Sequence, residues 1–388
     1  MSTRWAPVLL LLALGCGEGE PEAAAPRRAL WVLAEGTHRT LEAPEKIDQL
    51  VRDAARLGVT DLFIQVYRAG KSWYPSDHAD DAPYRAIRAA GHDDPLARVV
   101  ERAHAAGLRV HAWFNALSLA GNARAPLLER LGRDAVLVDR HGRSLLDYPG
   151  HDVPPPTRAH TRLGTAGIWL DPATPGVIEY LEQTLDDLVV ATPELDGLHL
   201  DYIRHPITLP MLPGSRFRGL DFGYGAASKA GFEREHGSFE RGDAWDGYRR
   251  ARVGELVRRL GARLPQSWER SAAVISHADR AYLVAMQDWR RWLEEDWLDF
   301  AVAMAYTRDD TLLRYLVGSL RGGIAGERVW IGVGTWLYVS RPDRAAAQLE
   351  TALASAPLGV AIFSYDAIAE APAALAALLP QRPVGAAE

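Results

Sequence analysis

The chain has 388 residues, enough for two average domains or for one large α/β barrel with insertions. With 48% hydrophobic and 24% charged residues it can bury a large core, which excludes a disordered chain. The net charge of -6 and the dispersed arginines lack the basic footprint of a nucleic-acid-binding protein, so no such partner is expected.

At the N-terminus, Arg4, the apolar run from Val8 to Leu14 and then Gly15-Cys16 read as a targeting segment. The run is too short to span a bilayer. The ending Leu12-Ala13-Leu14-Gly15-Cys16 resembles a bacterial lipoprotein signal, which implies lipidation of Cys16 and a membrane anchor. Ala13 stands where that pattern prefers leucine, so plain secretion, with Cys16 discarded, is the alternative. Cys16 is the only cysteine, which excludes a disulfide framework and thiol catalysis in the folded part. Residues 1–16 are thus read as signal, 17–27 as flexible tether, 28–380 as the folded domain and 381–388 as a tail.

From residue 28 onward, short apolar or β-branched runs alternate with amphipathic stretches, the βαβα pattern of a parallel sheet flanked by helices. Eight strands are predicted, at 29–34, 60–67, 108–114, 196–202, 272–276, 300–306, 329–335 and 359–364. Helices are marked by Pro44 and the Leu57-Gly58 stop, by Asp94-Pro95 to Gly107, and by Pro175 to Leu188. Eight such units predict a (β/α)8 TIM barrel. An open doubly wound sheet would carry a glycine-rich phosphate loop after its first strand, and Ala34-Glu35-Gly36-Thr37 is not one. Long loops after the third and fourth strands, 115–170 and 203–245, are the expected walls of a substrate cleft.

In such barrels the C-terminal strand ends carry the chemistry. Strand 2 ends in Gln65 and Arg68, strand 3 in His111, Trp113 and Asn115, and strand 4 in His199, Asp201, Tyr202 and Arg204. Strand 6 ends in Tyr306 and Asp309, strand 7 runs into Trp336, and strand 8 into Tyr365 and Asp366. Alternation puts His199 and Asp201 on one face, and likewise His111, Trp113 and Asn115, both sets expected at the mouth. Carboxylate, imidazoles, amides and rings suit a neutral polyhydroxylated substrate, and the twelve Trp and thirteen Tyr allow stacking on sugar faces. The alternative for Asp201 is a structural acid paired with Arg204. No spacing supports a metal site, and no cofactor or oligomeric state is indicated.

Together these segments resemble the glycoside-hydrolase-like family 10 domain over roughly residues 28–370. The resemblance is carried in order by Arg28–Val32, Asp61–Arg68 with Trp73–Ser76, His111–Asn115, Trp169–Pro172, Asp196–Pro206 and Gln287–Trp292 with Trp297–Asp299. It implies hydrolysis of glycosidic bonds in a bacterial envelope polysaccharide, with peptide-free peptidoglycan strands as one substrate of relatives. Two departures are Arg68-Ala69-Gly70-Lys71, where relatives carry acids, and Ser276-His277, where Ser-Pro is common. Glycoside hydrolysis normally needs two carboxyl groups. Asp201 is read as nucleophile or base, and Asp171, Asp309, Asp366 and Glu35 compete for the role of acid. If the substrate carries N-acetyl groups, its acetamide could attack instead, with Asp201 orienting it. A non-catalytic envelope-glycan binding protein on the same scaffold is the alternative class, with a metal-dependent deacetylase behind it.

Overall fold

The computed structural model of the protein describes residues 26–158, 161–210, 220–322, 327–355 and 358–380. The targeting segment with Cys16, most of the tether and the tail lie outside the described residues. Eight parallel strands form the core: β1 (Arg27–Val32), β2 (Asp61–Arg68), β3 (Arg109–Asn115), β4 (Gly197–Asp201), β5 (Glu269–Ile275), β6 (Phe300–Met304), β7 (Val329–Gly334) and β8 (Gly359–Phe363). Each pairs with its sequence neighbour, and β1 pairs with both β2 and β8, which closes the sheet into a (β/α)8 barrel. All eight predicted strands are present. β5 begins three residues before its predicted start because Glu269, Arg270 and Ser271 are polar yet pair with β4, so an apolar-run criterion passes over them.

Alternation along each strand sorts side chains between two cores. One set, including Leu30, Val32, Leu62, Ile64 and Val110, packs outward against helices such as α1 (Pro44–Arg56), through Ile47, Leu50 and Ala54. The other fills the barrel, with Trp31, Phe63, Trp113, Phe300, Val302 and Trp330 among smaller alanines. Large rings fit there because glycines stand opposite them: a Cβ on Gly332 would sit 3.1 Å from the Trp31 ring, and one on Gly359 2.7 Å from Trp330. Helix starts follow the sequence cues. Asp94 caps α2 (Pro95–Ala105) by accepting from the amides of Leu96 and Ala97, both at 2.9 Å. α3 (Val177–Ala191) starts two residues after Pro175, behind a left-handed Gly176.

The N-terminal end of the barrel is sealed by charge. Arg27 donates to Asp61 and to Glu269, Arg109 Nη1 donates to Glu269 at 3.0 Å, and His111 Nε2 lies 3.0 Å from Asp61 Oδ1. The Arg27 guanidinium also lies 4.9 Å from the Trp330 ring centroid. Arg27, expected as the last tether residue, therefore belongs to the barrel floor.

The two insertions cover the opposite end. Within the first, Ser118–Ala120 pairs with Ile168–Trp169, and Thr161–Leu163 pairs antiparallel with Thr208–Pro210 of the second, so the walls are clipped together. The second wall has a small aromatic core of its own, formed by Tyr224, Phe232, Trp245 and Tyr248. No helix among the described residues is long and apolar enough to cross a membrane.

Candidate active site at the barrel mouth

Asp201 is the last residue of β4, with 6% of its surface exposed. Tyr202 follows with φ of 55°, a left-handed conformation costly for a tyrosine. That turn brings the Tyr202 amide onto Asp201 Oδ1 at 2.6 Å, while Trp113 Nε1 of β3 donates to Oδ2 at 3.1 Å. Burial pushes the Asp201 carboxyl up to about 6, against the opposing pull of the Arg204 charge and these two hydrogen bonds. Asn115, the register partner of Asp201 on β3, is buried with its Oδ1 lacking a partner among the described residues.

Aromatic rings line the adjoining rim. Tyr306 stacks on Phe363 at 5.5 Å, and Phe363 meets Trp113 edge-on at 6.1 Å. Burial and then the Asp201 charge push the Tyr306 phenol well above its usual range. A Cβ on Gly334 would lie 3.1 Å from Trp336 Nε1 and 3.2 Å from Tyr306, so this glycine lets both rings approach. Trp336 keeps 48% of its surface exposed, an apolar face next to Gly334 and Tyr306 on the rim.

Glu35, just beyond β1, is ion-paired to Arg68 Nη1 at 2.5 Å and to Lys71 Nζ at 3.0 Å. Gln65 is buried and accepts the Ala34 amide at 3.3 Å, which fixes the start of that segment. Arg204, read as the structural partner of Asp201, makes no ion pair with it. Its guanidinium instead lies 5.0 Å from the ring centroids of both Trp169 and Tyr202.

Other expected site residues lie elsewhere. His111 faces inward as anticipated, but alternation fixes a face and not a height, and its register with Gly197 puts it on the floor beside Asp61. His199 stands midway, its Nδ1 2.9 Å from Ser271 Oγ and its ring stacked on Phe63 at 4.0 Å. Burial, then the neighbouring His111, holds it well below its usual pKa, so it is neutral there. His111, His199 and Asp201 thus occupy successive levels and do not converge on one ion. A different trio, Asp61, His111 and Glu269, brings ligand-type atoms within 4.8 Å of one another. Arg27 and Arg109 already supply the positive charge that trio requires. Tyr365 is also turned away from the mouth, its buried hydroxyl donating to Asp53 of α1 at 3.0 Å.

Three of the competing carboxylates hold backbone. Asp309 caps the helix Asp310–Leu320, accepting from the amides of Thr311 (2.8 Å) and Leu312 (3.2 Å). Asp366 accepts from Leu33 N (3.3 Å) and His38 N (3.1 Å), pinning the loop after β1. Asp171 is buried beneath the insertions, accepting from Ser228 Oγ (2.5 Å) and Ala173 N (3.0 Å), and burial raises its pKa. Only Glu35 of the four is held by side chains at the rim. Phe363 joins the site without having been singled out, though alternation from Ala361 would have found it, while Trp169 and Lys71, noted only within family-match segments and not as site residues, arrive through tertiary contacts.

This arrangement has a family. The model of the glycosyl hydrolase-like 10 family matches residues 26–312. The chain belongs to that family. The glycosyl hydrolase DigH of Escherichia coli K12 is 25% identical over 278 residues, 68% of this chain and 57% of that protein. Glycosyl hydrolase YngK of Bacillus subtilis 168 is 21% identical over 288 residues, covering 68% of this chain and 49% of its own. The chain therefore spans about half the length of these relatives. Among solved structures, the PgaB (BpsB) glycoside hydrolase domain from Bordetella bronchiseptica superposes with a TM-score of 0.62 at 15% identity, covering 92% of this chain and 99% of that one. At that identity the likeness concerns the fold.

Proposed function

We propose that this protein is a glycoside hydrolase that cuts O-glycosidic bonds of a bacterial envelope polysaccharide, peptide-free peptidoglycan strands being the favoured substrate. The observation that carries the reading is the buried, raised Asp201 carboxyl at the barrel mouth, on a rim lined by Tyr306 and the exposed Trp336. A carboxyl raised to about 6 holds its proton near neutral pH better than an ordinary aspartate, which suits protonation of a departing glycosidic oxygen. Asp201 is therefore assigned as general acid, in place of the nucleophile or base expected from its position alone. Trp113 and the Tyr202 amide orient it. Glu35 is assigned as the second carboxylate, because Asp171, Asp309 and Asp366 are committed to capping or to buried hydrogen bonds. Stacking of a sugar ring on Trp336 would place the bond to be cut over the mouth.

The Arg68 and Lys71 ion pairs on Glu35 favour a second reading, a glycan-binding protein without turnover. Incubating the purified chain with peptide-free and intact peptidoglycan strands, followed by mass analysis, separates the two. Shortened products from the peptide-free strands support the hydrolase. Retention of both strands uncut, with measurable binding, supports the binder. The N-terminal pattern supports export and anchoring through lipidated Cys16. Labelled palmitate should enter the full-length chain and not Cys16→Ala, and absence of label from both would favour plain secretion.

A further inference from the structure

The geometry points to Arg204 as a specificity residue that binds a carboxylate on the substrate, so that the glycan cut at this mouth is an acidic one. The inference rests on the glycosidase reading for its substrate and on the following observations for its residue. Arg204 is 6% exposed, and its Nη1 has no hydrogen-bond partner among the described residues. A guanidinium remains charged in any protein, and a buried one is normally met by a carboxylate. Arg249, the other buried arginine among the described residues, follows that rule, paired with Asp221 and Asp246. Arg204 does not: it forms no ion pair with any described carboxylate, and burial lowers its pKa with only the Asp201 and Tyr202 charges acting against that shift. The undescribed residues between 26 and 380 contain no Asp or Glu that could supply the missing charge.

Asp201 itself is not the partner. One of its oxygens takes the Tyr202 amide and the other takes the Trp113 indole. The guanidinium carbon lies 5.0 Å from the ring centroids of both Trp169 and Tyr202, which pack on each other at 5.3 Å, so this ring pair holds the guanidinium fork by cation–π contact and supplies no anion to it. A carboxylate matches that fork with two parallel hydrogen bonds, which a hydroxyl or amide of a neutral sugar cannot do. Seated there, it would also offset the positive field that pulls the Asp201 proton away, coupling recognition of the acidic sugar to the state of the acid.

The test compares a peptide-free glycan tetrasaccharide carrying free lactyl carboxylates with the same molecule after reduction of those carboxylates to alcohols. Calorimetric titration uses the full chain carrying Asp201→Asn, which prevents turnover. The reduced sugar should bind roughly 10- to 100-fold more weakly, the range expected for leaving a buried charged donor unpaired. Adding Arg204→Gln should bring the two sugars to within about threefold of each other by weakening the acidic one. Equal affinities in the protein that keeps Arg204, an unchanged preference in the Arg204→Gln protein, or no binding of either sugar would each overturn the inference. Turnover by the wild-type chain distinguishes the two readings. Equal cleavage of both sugars removes the role of Arg204 and leaves the hydrolase. Tighter binding of the acidic sugar without cleavage of either removes the hydrolase and leaves Arg204.

Discussion

The two ends of the barrel carry similar side chains in opposite states. At the floor, Asp61 and Glu269 face Arg27, Arg109 and His111, and both carboxylates are paired. For Asp61, burial alone would raise the pKa, but hydrogen bonds from His111 and Arg27 outweigh it and hold the group below the usual carboxylate range. At the mouth, Asp201 meets no cation directly and its pKa rises, while Arg204 Nη1 and Asn115 Oδ1 lack partners. The charged groups are therefore ion-paired at the floor, although His111 Nδ1 there also lacks a partner among the described residues, and are without ion pairs at the mouth. A satisfied network stabilises the fold, whereas open, buried polar atoms keep their capacity for a ligand.

The largest expected effect that sharpens this contrast is on turnover. Asp201→Asn should lower kcat against a cleaved glycan by roughly 100- to 10,000-fold, the contribution of a positioned acid, and full activity would remove Asp201 from the mechanism. At the floor the loss should fall on stability. Asp61→Ala leaves His111 Nε2 without its hydrogen-bond partner and Arg27 with Glu269 alone, and should cost about 3–5 kcal/mol in denaturant unfolding. A change below about 1 kcal/mol would mean that the floor network is not structural.

A third effect separates the ends by pH. Asp201 has a folded-state pKa above the ordinary aspartate value of 3.8, so the stability it contributes is present below about 3.8 and lost as pH rises through about 6. Asp201→Asn cannot ionise and should therefore exceed the wild type in stability above pH 6, by up to about 3 kcal/mol for a shift of two pKa units. The same ionisation should make wild-type kcat/KM fall about tenfold per pH unit above pH 6. A profile flat to pH 8 would contradict the acid assignment. The smallest effect is at Asp309. Asp309→Ala removes a helix cap and should cost roughly 0.5–2 kcal/mol while leaving activity unchanged. A large loss of turnover would return Asp309 to the site.

Much of the fold was legible because barrel strands announce themselves locally. A run buried on both faces is apolar, a helix start needs a cap or a proline, and neither cue depends on distant residues. The same locality placed Asp201, Trp113, Asn115, Tyr306 and Trp336 at the mouth, since a strand end is a position along the chain. It failed for His111, because alternation by two gives the face of a strand and says nothing about whether a residue stands low or high on it. It also failed to rank the four rival carboxylates.

The sequence by itself determined the eight-stranded barrel, the acid at the end of the fourth strand and the rings around it, all products of short-range periodicity. Only the tertiary structure decided which polar groups are already spent. Asp366 is consumed by the amide of Leu33, 333 residues away, and Tyr365 by Asp53, 312 residues away. Glu35 is held by Arg68 and Lys71 from a neighbouring strand and turn. Whether a charge is satisfied depends on partners that closure of the barrel brings together, and no local pattern carries that information.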